Sequence, residues 1–331
     1  MPAILPAGLL PVLLLVLAAE FVNGWTDAPN AIATVVSTRV LAPSAALVMA
    51  TVLNVVGTMA GTAVAATIGK GIVDPAVIDT VTIAAAMLAI VTWSVLAWLR
   101  GLPTSESHAL VAALAGAGLA TAGLPVLQWE GWRKVLIGLG FSTVLGFGGA
   151  FAIMVAISWL FRRTPLGRAR RLFGRLQTFS AAFMAFSHGT NDGQKFIGVF
   201  TLALLLGGVI PEFRIPLWVI LLCALTMGLG TAVGGWRIVH TMGLRLTRLE
   251  PYQGFAAETA AASAIELASR LGIPLSTTHT INTAIMGVGA VRRFSAVRWG
   301  VGLEIITAWV LTFPACAAIA AAAAYLLRWL F

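Results

Sequence analysis

The chain has 331 residues, of which 59% are hydrophobic and only 10% are charged, and its mean hydropathy is +0.95. Soluble domains carry about 25% charged residues, so this composition excludes a soluble protein and predicts a polytopic membrane protein. The net charge of +9 does not indicate a nucleic-acid partner, because the basic residues cluster in a few gaps between apolar segments. Cys223 and Cys316, the only cysteines, lie within apolar segments and predict neither a disulfide framework nor a metal or other cofactor.

The apolar segments of the first half predict five crossings of an all-α fold, since a spanning helix needs about 20 residues. These segments are residues 4–38, 44–68, 80–99, 104–122 and 133–161. The first is expected to be a retained helix rather than a cleaved signal peptide, because no convincing cleavage site follows it. We also expect it to break between Gly24 and Pro29, with Pro29 in the first turn of the second half-helix.

The second half predicts five further crossings, which makes ten crossings and 10 to 12 helical segments in all. These segments are residues 176–210, 215–235, 254–271, 275–290 and 296–327. The first of them contains the polar stretch SHGTNDGQKFIG at 187–198. Two glycines interrupt its polar run, Gly189 and Gly193, and they predict a second broken helix.

The basic residues predict how the crossings are oriented. Residues 162–175 contain six arginines and are predicted to be a cytoplasmic linker between a first repeat, 1–161, and a second repeat, 176–331. Five crossings on either side of this linker place both termini outside the plasma membrane. The other basic gaps fit this orientation, and Arg270 is the exception.

Two pairs of motifs show that the halves repeat. GLPTSESHA at 101–109 matches GIPLSTTHT at 272–280, and GWTDAPNA at 24–31 matches GTNDGQKF at 189–196. An odd number of crossings per copy gives the copies opposite orientations. This inverted repeat is the plan of secondary transporters, in which the substrate site lies near the membrane midplane at the interface between the repeats.

The first motif of each repeat carries candidate cation ligands. Asp27 and Asn30 share one helix face, and with Thr26 they offer oxygen atoms to a small hard cation. A carboxylate at membrane depth usually belongs to an ion or substrate path. The alternative is a polar bend in which Asp27 caps the second half-helix.

The second motif of each repeat carries hydroxyl groups at a helix start. The candidate anion ligands are Thr104, Ser105, Ser276, Thr277 and Thr278. Hydroxyls and free N–H groups at a helix N-terminus bind anions, and two such starts could approach one tetrahedral oxyanion from opposite sides. The alternative is an ordinary helix cap at each position.

The stretch at 187–198 is the counterpart of the Asp27 motif. Asn191 and Asp192 are candidates to hold the coupling cation. Lys195 stands at the position equivalent to Asn30 of the first repeat, where it supplies a positive charge or an exchangeable proton. Asp192 and Lys195 could instead form a structural pair. His188 is a candidate proton carrier. Secondary candidates facing the pathway are Gln194 and Glu258.

These motifs resemble the PiT family of inorganic phosphate transporters over nearly the whole chain. The family signature GxxDxxNA appears at 24–31, HGxNDxQKxxG at 188–198, and PxSxxH at 103–108 and 274–279. The resemblance implies two inverted repeats, an elevator-like transport domain on a scaffold, and a homodimer. Two positions depart from the pattern: Thr26 stands where many members have Asn, and Glu106 lies inside the first hydroxyl stretch.

The resemblance implies a symporter that imports inorganic phosphate with a coupling cation. The residues of the first motif resemble those of the proton-coupled bacterial branch. Lys195 favours coupling to protons, because an ammonium group can replace a bound sodium ion. Sodium at Asp27, Asn30 and Asp192 is the alternative. A sulfate permease of the same fold is the nearest rival function. An intramembrane hydrolase is a remote rival, since the chain lacks GxSxG and HExxH motifs.

Overall fold

The computed structural model describes residues 8–330, and almost all of them are helical. Residues 4–7 of the first predicted segment lie outside the described residues. The twelve α-helices of the described range are α1 Leu9–Ser37, α2 Pro43–Thr58, α3 Ala63–Gly71, α4 Thr80–Leu99, α5 Glu106–Ala122, α6 Trp129–Leu160, α7 Leu166–Leu206, α8 Leu217–Val233, α9 Trp236–His240, α10 Pro251–Arg270, α11 Thr277–Arg292 and α12 Trp299–Leu330. The predicted all-α fold is confirmed.

Length and hydropathy identify several spanning helices. Within the described residues α1, α4, α6 and α12 are long and apolar enough to cross a membrane alone. Two pairs pass the same test together: α2 with α3, bent by 68° at a short break, and α8 with the helical segment Trp236–Arg245 that begins with α9, bent by 60°. The remaining helices are shorter or carry the polar stretches. Ten crossings and their orientation therefore stay predictions.

The order of helices in α1–α6 is repeated in α7–α12. In each half a long helix precedes a bent pair, and a 20-residue helix, a shorter helix and a 32-residue helix follow. The halves exchange partners, because α1 packs against α8 and α2 against α7, while α5 packs against α12 and α6 against α11. Helices α5 and α11, which carry the two hydroxyl motifs, therefore each pack against a helix of the other half.

Neither predicted helix break occurs. Helix α1 continues through Gly24 with Pro29 in its interior, and α7 continues through Gly189 and Gly193. A Cβ atom at Gly189 would overlap the backbone oxygen of Asn54 in α2. Glycine here allows close approach between helices, as small residues do in membrane proteins, and this packing offsets its low helix propensity. Helix α7 also includes residues 166–175 of the predicted linker.

The apolar core is split in two by a polar layer. One cluster of buried apolar residues includes Ala19 of α1 and Phe196 of α7, and the other includes Ala31 and Ala185 of the same helices. Between these positions, both helices carry the buried polar residues of the candidate cation motifs. The layer lies near the middle of both helices, as a midplane site requires.

Candidate functional site

The N-termini of α5 and α11 meet in the polar layer. Ser105 and Ser276 are the N-caps, and each hydroxyl oxygen accepts from a backbone N–H three residues later, at 3.3 and 3.1 Å. The Ser107 hydroxyl donates to the backbone oxygen of Leu275, which precedes α11, at 2.8 Å. Ser105 and Ser276 thus act as caps, as the alternative interpretation expected. Their hydroxyl hydrogens can still donate to a bound anion.

Helix α1 is bonded to the start of α11. The side-chain nitrogen of Asn30 donates to the Thr278 hydroxyl at 2.9 Å and to the Thr277 hydroxyl at 3.3 Å. The Thr278 hydroxyl donates to a carboxylate oxygen of Asp27 at 3.3 Å. The candidate cation ligands of the first repeat therefore contact the candidate anion ligands of the second, so the two candidate sites adjoin.

Helix α7 contributes a buried ion pair to the same cluster. The Lys195 ammonium donates to the Asp192 carboxylate, to the Ser107 hydroxyl at 2.5 Å and to the Leu275 backbone oxygen at 3.1 Å. Asp192 also accepts from the Thr277 hydroxyl at 2.7 Å. Lys195 is only 1% exposed, so both charges are shielded from water. Lys195 thus joins both helix starts to α7.

His188 extends this cluster toward α2. Its Nε2 lies 3.0 Å from a carboxylate oxygen of Asp192, and its Nδ1 lies 3.1 Å from the side-chain oxygen of Asn54. One ligand atom each from Asp27, His188 and Asp192 lie within 4.8 Å of one another. The two carboxylates predicted to hold sodium are therefore close together, with His188 as a third possible ligand.

Negative charge exceeds positive charge in this cluster. The carboxylates of the cluster, Asp27, Asp192 and Glu106, are all at most 3% exposed. Lys195 is the one lysine of the cluster. The Thr26 hydroxyl donates to one Glu106 oxygen at 3.1 Å, while the other oxygen is buried with no hydrogen-bond partner. Buried carboxylates must be paired or neutralised. The cluster can achieve this by taking up protons or a cation.

Three predicted residues of the polar motifs lie outside the central network. Asn191 donates to Ser269 at 2.9 Å, and Gln194 accepts from the Val64 N–H at 3.0 Å, so these two side chains contact α10 and α3. Thr104 lies in the loop before α5, and its N–H donates to the backbone oxygen of Leu102 at 3.0 Å.

Glu258 of α10 forms a separate buried polar group. It accepts from Thr34 at 2.5 Å, from Gln177 at 3.0 Å and from Ser180. Thr34 lies about one helical turn after Asn30 on α1, so the group adjoins the central network along that helix. That Glu258 faces the transport pathway stays a prediction.

Sequence reasoning missed Asn54 and the Leu275 carbonyl, and it placed Ser107 among the hydroxyls of the first helix start without predicting its bond to Lys195. Ser107 was visible as the counterpart of Thr278, since 107 and 278 differ by the offset of 171 that relates the two PxSxxH motifs. Asn54 stands in an apolar segment, and a polar residue at membrane depth is itself a signal. The role of the Leu275 backbone carbonyl could not be predicted from residue type, because every residue has such a group.

Comparison with known proteins identifies the family. The model of the phosphate transporter family matches residues 23–320. A probable low-affinity inorganic phosphate transporter of Rhizobium meliloti is 46% identical over 305 residues, which cover 91% of each chain. One from Bacillus subtilis is 40% identical over 318 residues, covering 95% of this chain and 96% of the relative.

A solved structure agrees with these sequence matches. The protein described as "The sodium-dependent phosphate transporter" superimposes with a TM-score of 0.89 at 26% identity, covering 98% of this chain and 99% of the other. The family model, the relatives and this structure all describe transporters, so an intramembrane hydrolase is not supported. The chain belongs to the phosphate transporter family.

Proposed function

We propose that this protein is a secondary-active symporter that imports inorganic phosphate across the plasma membrane, coupled to protons. One observation carries the coupling proposal: the Lys195 ammonium is bonded to Asp192 within a buried cluster that holds more carboxylates than cations. The family supports the substrate, and the buried charges support the coupling.

The phosphate site is proposed to lie between the starts of α5 and α11. Thr104, Ser105, Ser276, Thr277 and Thr278 would donate hydroxyl hydrogens, and the free N–H groups of both helix starts would add partial positive charge. Lys195 contacts both starts through Ser107 and Leu275. A site with many neutral donors and a single cation binds phosphate loosely enough to release it inside.

Proton coupling follows from charge balance. In the first repeat Asn30 donates to Thr278, and in the second Lys195 donates to Ser107, so an ammonium occupies the place of a neutral amide. Its positive charge neutralises Asp192 without a sodium ion. The remaining carboxylates Asp27 and Glu106 can then be neutralised by protons that travel with phosphate.

Sodium coupling is the second candidate, and a specific observation favours it. Ligand atoms of Asp27, His188 and Asp192 lie within 4.8 Å of one another, and Asn30 adds an amide next to Thr278. The structural relative at 26% identity is named as sodium-dependent. Sodium would here be a transported substrate held by carboxylate and amide oxygens.

The transport movement is proposed to be elevator-like alternating access in a homodimer. The repeated helix order and the exchanged packing of α1 with α8 and α2 with α7 support a symmetric framework around one site. Inverted repeats can exchange conformations, which would expose the site to each side in turn.

Sulfate is the rival substrate. Phosphate at neutral pH carries one or two protons and gains from a hydrogen-bond acceptor, whereas sulfate has no proton to donate. Asp192 is already bonded to Lys195 and Thr277, while one oxygen of Glu106 has no partner. An ionised Glu106 would accept a hydrogen bond from a protonated phosphate oxygen beside the helix start, and this acceptor favours phosphate.

Uptake into proteoliposomes tests the substrate and the coupling ion together. Radiolabelled phosphate or sulfate is supplied under imposed proton and sodium gradients, each applied separately. We expect phosphate uptake to rise with an inward proton gradient and to persist without sodium. Uptake that requires sodium and ignores the proton gradient would instead establish the second candidate, and sulfate uptake alone would establish the rival substrate.

Substitution of the capping serines tests the anion site. Ser105→Ala and Ser276→Ala each remove a hydroxyl donor, and a hydrogen bond to a charged group contributes about 1.5–3 kcal/mol, or roughly 10- to 150-fold in half-saturating phosphate concentration. Ser142→Ala is the control, since that buried hydroxyl donates to the carbonyl of Gly138 in its own helix. Lower stability with an unchanged half-saturating concentration would mean that both serines are caps only.

A further inference from the structure

A basic cavity lies beside the buried site. It has a volume of about 380 Å³ and is formed where α3 ends, α6 begins and α10 passes into the loop before α11. Lys70, Lys134 and Arg270 line it, together with the single carboxylate of Glu130. We name this cavity, with its three basic side chains, the basic vestibule.

The two lysines of the basic vestibule keep their charge available. Within residues 8–330, no carboxylate oxygen lies within 4.0 Å of either ammonium group. Lys70 lies 5.0 Å from the ring centroid of Phe213, a contact that leaves its charge in place. Arg270 is paired with Glu266 at 2.8 Å, but its side chain is 77% exposed. The cavity is therefore an electropositive space open to an anion.

One short loop separates the basic vestibule from the buried cluster. Thr67 lines the cavity and donates to the backbone oxygen of Gly272 at 2.7 Å. Three residues further on, the backbone oxygen of Leu275 accepts from Lys195 at 3.1 Å. The loop thus has the vestibule at its beginning and the proposed phosphate site at its end, so the two lie at opposite ends of one short segment.

The equivalent place in the other repeat has a different arrangement of its cation. Thr241 donates to the backbone oxygen of Gly101 at 2.8 Å, as Thr67 does to that of Gly272. There, however, the guanidinium group of Arg237 lies 4.6 Å from the ring centroid of Trp98 and donates to the Leu99 backbone oxygen at 2.8 Å. The two places therefore differ: the arginine at one is held by a ring and a backbone oxygen, whereas the lysines at the other line a cavity with no carboxylate of the described residues within 4.0 Å.

We propose that the basic vestibule is a second, external oxyanion site, which concentrates phosphate beside the loop before it enters the buried site. This inference rests on the proposed phosphate transport. The predicted topology places Lys70, Lys134 and Arg270 outside, where cations are disfavoured by the positive-inside rule. Attraction of the substrate gives Arg270, the exception to that rule, a reason to be there.

The expected effect follows from Coulomb attraction in water. A unit charge about 8 Å from the anion changes its local concentration about two-fold for a monoanion and about six-fold for a dianion, before screening. At an ionic strength of about 0.15 M the Debye length is about 8 Å, so salt weakens the attraction strongly. The vestibule should therefore change the half-saturating concentration at low salt and leave the maximal rate unchanged.

Phosphate uptake by Lys70→Gln, Lys134→Gln and the double variant tests this inference. At an ionic strength of about 10 mM we expect each single variant to raise the half-saturating phosphate concentration about two- to six-fold, and the double variant to raise it by the product. At about 0.5 M salt the variants should match the wild type. Arg168→Gln is the control, because Arg168 is exposed in the predicted cytoplasmic linker and lies outside this cavity.

A lipid headgroup carries the same oxyanion chemistry, so a second measurement separates the two sources. Anionic lipid that copurifies with each variant is quantified by mass spectrometry. Loss of bound lipid with unchanged uptake kinetics would assign the vestibule to a headgroup and overturn the inference. Equal half-saturating concentrations for all variants at low salt would also overturn it. If the wild type transports no phosphate, the proposed function itself fails.

Discussion

Removal of the Lys195 ammonium should leave the buried Asp192 carboxylate without its lysine partner, next to the His188 imidazole at 3.0 Å. In Lys195→Asn the carboxylate keeps its bond from Thr277 but loses its one cationic partner among the lysines and arginines. Asp192 is fully buried, so water cannot replace the ammonium. The variant must therefore bind a proton or a cation at Asp192, or become less stable.

The structure gives the expected magnitude. Breaking a buried ion pair by removing one partner costs about 3–5 kcal/mol, because the remaining charge stays desolvated. Lys195→Asn should lower the free energy of unfolding by that amount in sodium-free buffer. Asp192→Asn combined with Lys195→Asn removes both charges and should recover most of the loss.

Denaturant unfolding of purified protein, with and without sodium, measures this effect. If the vacated position binds sodium beside Asp192, sodium at about 100 times its dissociation constant should restore about 2.7 kcal/mol. In proteoliposomes the same variant should lose proton-driven uptake and gain sodium dependence. Lys134→Asn is the control and should change stability by less than about 0.5 kcal/mol, because its side chain is partly exposed and unpaired.

Two results would refute this reasoning. If Lys195→Asn unfolds like the wild type in sodium-free buffer, the ammonium does not stabilise the buried carboxylate. If it retains proton-driven uptake, Lys195 takes no part in coupling and is a structural partner of Asp192.

Three further predictions follow from other parts of the structure. Asp27→Asn should abolish coupled uptake while the protein still folds, and near-normal uptake would remove Asp27 from the coupling site. Gly189→Ala should lower the free energy of unfolding by about 1–3 kcal/mol, because its Cβ would overlap the Asn54 backbone oxygen. Gly167→Ala, which has open space on the same helix, is the control, and equal stabilities would contradict the close packing. Cysteines at the exposed positions Ala76 and Gly167 should react with impermeant reagents from outside and from the cytoplasm respectively, and labelling from one side would contradict the inverted topology.

The local pattern of the sequence was enough to predict the class of fold. Apolar segments of spanning length, separated by basic gaps, indicate a membrane protein without any knowledge of contacts. The predicted segment 80–99 coincides with α4 at both ends. The repeated motifs also located the polar residues that the structure brings together, because Asp27, Thr278 and Asp192 all lie in them.

Local pattern misjudged the two glycine-containing helices for a physical reason. Glycine and proline lower helix propensity by amounts that a sequence reports, but the benefit of a missing Cβ depends on what packs against it. The backbone of α2 lies against Gly189, the Thr58 side chain of the same helix lies against Gly193, and α8 lies against Gly24. This packing partner is unknown until the fold is known.

The sequence by itself determined that this chain is a polytopic helical membrane protein with two copies of a polar motif pair. The tertiary structure alone decided which partners those motifs have: Asn30 bonds to Thr278 across 248 positions, and Lys195 bonds to Ser107 across 88. Hydropathy and helix propensity act within a few turns, whereas these bonds depend on how the two repeats pack. The basic vestibule has the same origin, since its cations come from three separate helices.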